Sequence, residues 1–152
     1  MDRGLQDAMG CTCLRMRRAT RRLTQIYDHI LQPSGLTVTQ FGLLANLSAA
    51  VSGRSDVSSI GVVAERIGMD PTTLNRNLKP LKVRGLIKDL SDPSDGRVRI
   101  VQITEKGQRE LSKALALWRQ AHAKLEEALG RKTRVALNEI LDLSMARLEH
   151  LA

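Results

Sequence analysis

Apolar side chains recur at Ala19, Leu23, Ile26, Tyr27 and Ile30, the three-and-four spacing that gathers residues on one helical face. This predicts a helix from about Cys13 to Leu31, ended near Pro33, Ser34 and Gly35. The run TVTQ opens a second, shorter helix, with Thr37 as N-cap, Gln40 as its capping-box partner, and Phe41, Leu44 and Leu47 facing inward. Ser52 to Ser59 reads as a polar loop, after which Val63, Ala64 and Ile67 mark a short helix stopped by Gly68. The next helix is signalled redundantly: Asp70 is its N-cap, Pro71 sits at its first position, and Met69 can staple onto Leu74. At about 100° per residue, Leu74, Leu78 and Leu81 face inward, Thr72, Arg76 and Lys79 lie nearly opposite, and Asn75 lies on the flank. Pro80 removes a backbone donor and is expected to bend this helix, and Gly85 to cap it.

The pattern then turns to strand. Leu86, Ile87 and Leu90, the turn-rich DPSDG and the β-branched VRIVQIT predict a two-stranded hairpin with Asp92 to Gly96 at its tip. Thr104 can cap a long helix in which Leu111, Leu115, Trp118, His122, Leu125 and Leu129 form a heptad-like seam. Gly130 breaks it, and Leu137, Ile140, Leu141, Ser144, Leu148 and Leu151 repeat the helical pattern. The seam is expected to pack partly on the first helix, but it and the final helix leave enough apolar surface to require a second subunit. The predicted fold class is therefore mainly α with a small β-hairpin wing. A winged helix-turn-helix module spans 36–104, and 1–35 and 105–152 form a helical dimerisation region.

Length and charge narrow the function. The 152 residues, 42% of them hydrophobic, suffice for one compact domain or two intertwined subdomains. No apolar run approaches the roughly 20 residues that span a bilayer, and MDRGLQDAMG lacks the apolar core of a secretory signal, so a cytoplasmic location away from membranes is expected. The net charge of +8 favours a polyanionic partner. From Arg66 to Arg109 there are ten Lys and Arg against five Asp and Glu, so the excess concentrates where the capped helix and hairpin lie.

A helix with a polar outer face, reached through a glycine turn and followed by a basic hairpin, is suited to double-stranded DNA. Arg76 can donate twice to a guanine edge, Asn75 can pair with adenine, and Thr72 and Lys79 suit phosphate or base-edge contacts. Arg97 and Arg99 follow the hairpin tip, where Arg97 could enter a narrow minor groove or pair with Asp92 or Asp95.

The runs GLTVTQFGLLANL, VVAERIGMDPTTLNRNLKPLKVRGLI and DPSDGRVRIVQITEKG resemble the MarR family of bacterial and archaeal transcriptional regulators over roughly residues 14–148. The resemblance implies a symmetric homodimer on a pseudo-palindromic site, most often a repressor, and matches Arg97 to the family's wing arginine and Thr73 and Arg76 to polar recognition-helix positions. It also implies release by a small anionic or phenolic effector, or by cysteine oxidation.

Candidate effector contacts are Met16, Arg17, Trp118 and His122, although Tyr27, Phe41 and Trp118 are the chain's only aromatics and a histidine on an apolar seam is more often a core residue. Cys11 and Cys13 stand beside Arg15, Arg17 and Arg18 at a helix start, a setting that favours thiolate; they are read either as oxidant sensors or as small, buried interface residues in a reducing cytoplasm. No metal-ligand spacing links them to His29, His122 or His150, and neither a metal nor a cofactor is expected. A thiol enzyme lacks a neighbouring base and a CxxC, and a protein-interaction adaptor built on the winged module is the remaining alternative.

Overall fold

The computed structural model describes residues 3–49, 59–91 and 98–149. The loop expected before Ser59 and the hairpin tip from Asp92 to Arg97 lie outside the described residues. The elements are α1 (Arg3–Met9), α2 (Thr12–Leu31), a 3-10 turn (Gln32–Ser34), α3 (Val38–Ala49), α4 (Ile60–Arg66), α5 (Pro71–Val83), β1 (Ile87–Ser91), β2 (Arg99–Ile103), α6 (Glu105–Leu129) and α7 (Arg131–Leu148). The chain is thus mainly helical with one antiparallel hairpin. α1 was not anticipated: Leu5, Ala8 and Met9 keep helical spacing, but the run is only seven residues long and its Leu5 and Met9 are exposed, so no long-range burial marks it.

Local chemistry explains most boundaries. Thr37 and Gln40 form the expected box, the Thr37 N–H donating to Gln40 Oε1 at 3.1 Å and the Gln40 N–H to Thr37 Oγ1 at 3.2 Å. Asp28, ten positions back on α2, accepts the Val38 N–H at 2.6 Å, which ties the start of α3 to the preceding helix. Gly35 holds φ +65° at the turn between them, a left-handed conformation that other residues adopt at a cost.

One apolar cluster runs from Leu31 on α2, through Leu43, Leu44 and Leu47 on α3 and Leu74, Leu78 and Leu81 on α5, to Leu86 and Val101 of the hairpin and Ala114 on α6. Its continuity fixes the recognition module against the long helix. On α6 the fully buried line is Gly107, Ala114 and Ala121, a heptad apart, whereas the seam named from the sequence is only partly buried beside it from Leu111 to Leu125 and exposed at Leu129. Small residues occupy that line because neighbouring elements approach closely: a Cβ on Gly107 would collide with the Leu86 carbonyl and the Ile103 side chain.

The terminal helices are the exception to good burial. α7 has no buried residue, and Val135, Leu137, Ile140, Leu141, Leu143, Met145 and Leu148 are between 38% and 59% exposed. The first half of α2, including Ala19, Leu14 and Met16, is likewise exposed. Leu90 also points outward, since the alternation of β1 places only Ile87 of that strand in the core.

Candidate nucleic-acid interface

α4 and α5 are built as a helix-turn-helix by successive caps. The Ser59 side chain accepts the Val62 N–H, which fixes the start of α4 at Ile60. α4 stops at Gly68, φ +63°, with Gly68 N–H donating to Glu65 and Met69 N–H to the Ala64 carbonyl at 2.9 Å, the paired bonds of a Schellman turn. Two residues later Asp70 Oδ1 accepts the Thr73 N–H at 2.9 Å. Hydrogen bonds from the side chain and backbone of Thr73 hold the Asp70 carboxyl below its usual range, so the cap is a charged acceptor at the positive end of α5.

The two faces of α5 separate as the periodicity predicts. Leu74, Leu78 and Leu81 are at most 1% exposed, while Thr72, Asn75, Arg76 and Lys79 are exposed and Thr73 is half-buried. Arg76 and Lys79 form no ion pair with any described residue, so both charges face outward unneutralised. The Asn75 amide instead donates to the Pro71 carbonyl at 2.9 Å on its own helix. The amide has a second N–H beside its carbonyl oxygen, so pairing with adenine does not require that bond to break. α5 continues through Pro80 to Val83; the missing N–H deprives the Arg76 carbonyl of its helical partner on a face where water can replace it. Gly85, φ +68°, ends the helix with Leu86 N–H on the Leu81 carbonyl at 2.9 Å.

The hairpin pairs Ile87 with Ile103 and Ser91 with Arg99, and an antiparallel bridge from Ser59 to Ile100 attaches the start of α4 to its edge. Asp89 accepts from Lys82 of α5 at 2.7 Å and from Arg99 of β2 at 2.9 Å. Burial pushes the Asp89 carboxyl up, but the hydrogen bonds and charges of Lys82 and Arg99 together outweigh it and hold the group below its ordinary value. Lys82 thereby ties α5 to the hairpin through Asp89, while Arg99, more than half exposed, joins β2 to β1. A cleft of about 390 Å³ between them is lined by Ser59, Ile60, Gly61, Asn75, Val98 and Arg99, which brings two of the sequence candidates together. Arg97 lies outside the described residues.

Sequence reasoning missed the groups that orient this module. Arg84 reaches the Gly35 carbonyl at 2.6 Å and the Ser34 carbonyl at 3.2 Å, and its own carbonyl accepts from Lys106 at 2.8 Å. Thr104, expected only as a cap, accepts the Gly107 N–H at 3.0 Å and donates to the Gly85 carbonyl at 2.8 Å. Apart from the local Thr104 cap, these contacts span 19 to 50 positions and leave no periodic trace.

The effector candidates fall into two places. Trp118 and His122 stack at 4.9 Å between ring centroids, with Phe41 against Trp118 at 6.0 Å and the Tyr27 hydroxyl 3.5 Å from His122 Nδ1. Burial pushes the Tyr27 hydroxyl up, opposed by the charge of Arg134. Met16 and Arg17 lie instead on a groove between α2 and α7 that also takes in Cys13. Cys11 and Cys13 are free and exposed. Among the described residues, no group of three metal-ligating side chains gathers and no helix is long and apolar enough to cross a membrane.

A family model described as MarR family matches residues 34–98. The Mycobacterium tuberculosis transcriptional regulator MosR, solved in complex with DNA, is 39% identical, with a TM-score of 0.76 over 90% of this chain and 96% of that one. The transcriptional repressor CouR, solved bound to a 23-mer DNA duplex, is 28% identical, with a TM-score of 0.78 over 91% of this chain and 95% of that one. A mutant Escherichia coli MarR complexed with operator DNA shares the fold at 20% identity and a TM-score of 0.73, over 85% and 89% of the two chains. With its capped recognition helix and antiparallel wing, this chain belongs to the MarR family of DNA-binding transcriptional regulators.

Proposed function

We propose that the protein is a sequence-specific repressor that binds a pseudo-palindromic DNA site as a homodimer in the cytoplasm and lets go when a small molecule binds, with no catalytic step. The observation that carries the reading is α5 itself. Its three leucines are fully buried while Thr72, Asn75, Arg76 and Lys79 project from a helix whose start is fixed by Asp70. In this reading Arg76 and Asn75 contact base edges, Thr72, Thr73 and Lys79 hold phosphates, and Arg97 and Arg99 bring the wing to the backbone or minor groove.

Dimerisation is supported by the apolar residues of α7 and the start of α2, which leave a continuous uncovered face in one chain. Two copies joined there carry two recognition helices related by a two-fold axis, which is the symmetry of a palindromic site. The terminal helices, 1–35 and 105–152, are the dimerisation region, and 36–104 the DNA-binding module. Selection of bound fragments from genomic DNA tests the assignment, with recovery of a repeated inverted motif expected and random fragments counting against it.

A second reading, cysteine-based oxidant sensing, is favoured by the exposure of Cys11 and Cys13 at the start of α2 beside that apolar face. Peroxide would take up the two electrons and protons of a thiol pair and leave as water, the sulfurs joining as a disulfide.

A further inference from the structure

Lys82 follows Asn75 by two turns of α5, a rotation of only about 20°, so the two share one flank of the recognition helix. That flank faces the wing: Asn75 lines the cleft with Arg99, and Lys82 reaches Asp89 of β1 at 2.7 Å. Arg99 donates to the same carboxylate, at Asp89 Oδ2, over 2.9 Å. Among the described residues neither cation pairs with any other acid. One carboxylate, 39% exposed, therefore lies between an ammonium and a guanidinium.

The two cations are spaced to grip an oxyanion from two sides, because they already grip one. A phosphodiester presents a pair of terminal oxygens to these donors much as a carboxylate does. Location supports the same use. A helix in the major groove is flanked by the phosphates of the groove wall, and a cleft between that helix and its wing opens beside them. Arg76 and Lys79 would meet DNA with no ion pair to break among the described residues, whereas a phosphate arriving at Lys82 and Arg99 has to displace Asp89.

We infer that Lys82 and Arg99 form a binding site for a DNA backbone phosphate, which Asp89 fills in the free protein as an internal competitor that holds down sequence-independent affinity. The inference rests on the DNA-binding reading above and adds Lys82 to its contacts. Asp89 is a positioning residue in this account: it keeps both side chains aimed into the cleft and subtracts one charge from the pair until DNA replaces it.

The test is fluorescence anisotropy of a labelled duplex of scrambled sequence over a series of salt concentrations, with native protein, Asp89→Asn, and Asp89→Asn combined with Arg99→Gln. Asp89→Asn should tighten binding about tenfold or more, the worth of one charge-assisted bond that no longer has to be exchanged. The dependence of log affinity on log salt should steepen, by about 0.9 for each phosphate newly neutralised. With Arg99→Gln present the gain should shrink, because one of the freed cations is gone. Glu127→Gln removes a negative charge near the far end of α6 and should stay within about twofold of native, since salt screens so distant a charge. A purely structural Asp89 would give the opposite sign, a loosened hairpin weakening every duplex without steepening the slope. Should Asp89→Asn fail to fold, Lys82→Gln and Arg99→Gln decide the matter: each should flatten the slope by about 0.9, and unchanged slopes in both overturn the site. Native binding with no gain in Asp89→Asn overturns this inference alone. A native protein that binds no duplex at low salt overturns it together with the regulator reading.

Discussion

Arg84 donates a hydrogen bond to the backbone carbonyl of Gly35 at 2.6 Å, joining residues 49 positions apart. Its second amino group reaches the Ser34 carbonyl, and so the end of the recognition helix is clamped to the turn that leaves α2. Arg84→Ala removes both contacts without opening the core, since the side chain lies partly at the surface. Urea unfolding should show a loss of about 1.5–3 kcal/mol, the size of hydrogen bonds made by a charged group. A loss well below that range would mean water replaces the clamp.

Two glycines give opposite expectations for the same change. Gly107→Ala places a methyl group against the Leu86 carbonyl and Ile103, and should cost about 2–3 kcal/mol through forced movement of the hairpin. Gly42→Ala, inside α3 with no atom within 4 Å of the new carbon, should stabilise by roughly 0.5–1 kcal/mol through the higher helix propensity of alanine. Thermal denaturation of the two variants distinguishes close packing from mere flexibility.

The Asp89 carboxyl is held below its ordinary value, so its contribution has a defined sign with pH. The stabilisation is complete above the unfolded carboxylate value of about 3.9, and is lost as pH falls through the lower folded value. The wing should therefore keep its pairing with Lys82 and Arg99 through neutral and mildly acidic conditions and lose it only in stronger acid. Asp89→Asn should abolish that acid-dependent step. The measurement is NMR titration of the strand amides, in which an unchanged step in the variant would assign it to another group.

Replacing Leu141 on α7 by Glu puts a charge into the uncovered apolar face. Light scattering should show the native chain as a dimer and this variant shifted toward monomer, because an unpaired charge cannot be buried there without several kcal/mol. A variant that dimerises as tightly as the native chain would place the interface elsewhere.

The elements that define the candidate site were legible because each carries a local signal. Asp70 and Pro71 announce a helix start, Thr37 and Gln40 another, and the spacing of Leu74, Leu78 and Leu81 divides reader from core. What the sequence hid is tertiary. The Arg84 clamp, the Asp89 pairing and the second bond of Thr104 join residues from different elements, and hydrophobic periodicity says nothing of them. The displacement of the buried line on α6 from the leucines to Gly107, Ala114 and Ala121 has a related cause. Large apolar residues dominate a periodicity count, whereas the closest approach between elements selects the smallest side chains.

Arg76 carries the central claim, being a cation on the outer face of a fixed helix that forms no ion pair with any described residue. The direct measurement is fluorescence anisotropy of a selected palindromic duplex, and of single-base variants of it, with native protein and with Arg76→Ala. The native protein should bind with strong salt dependence and discriminate against one guanine substitution by about 1–3 kcal/mol, a discrimination that Arg76→Ala erases while non-specific binding persists. Equal affinity and equal base preference in the two proteins would contradict recognition of DNA through this helix.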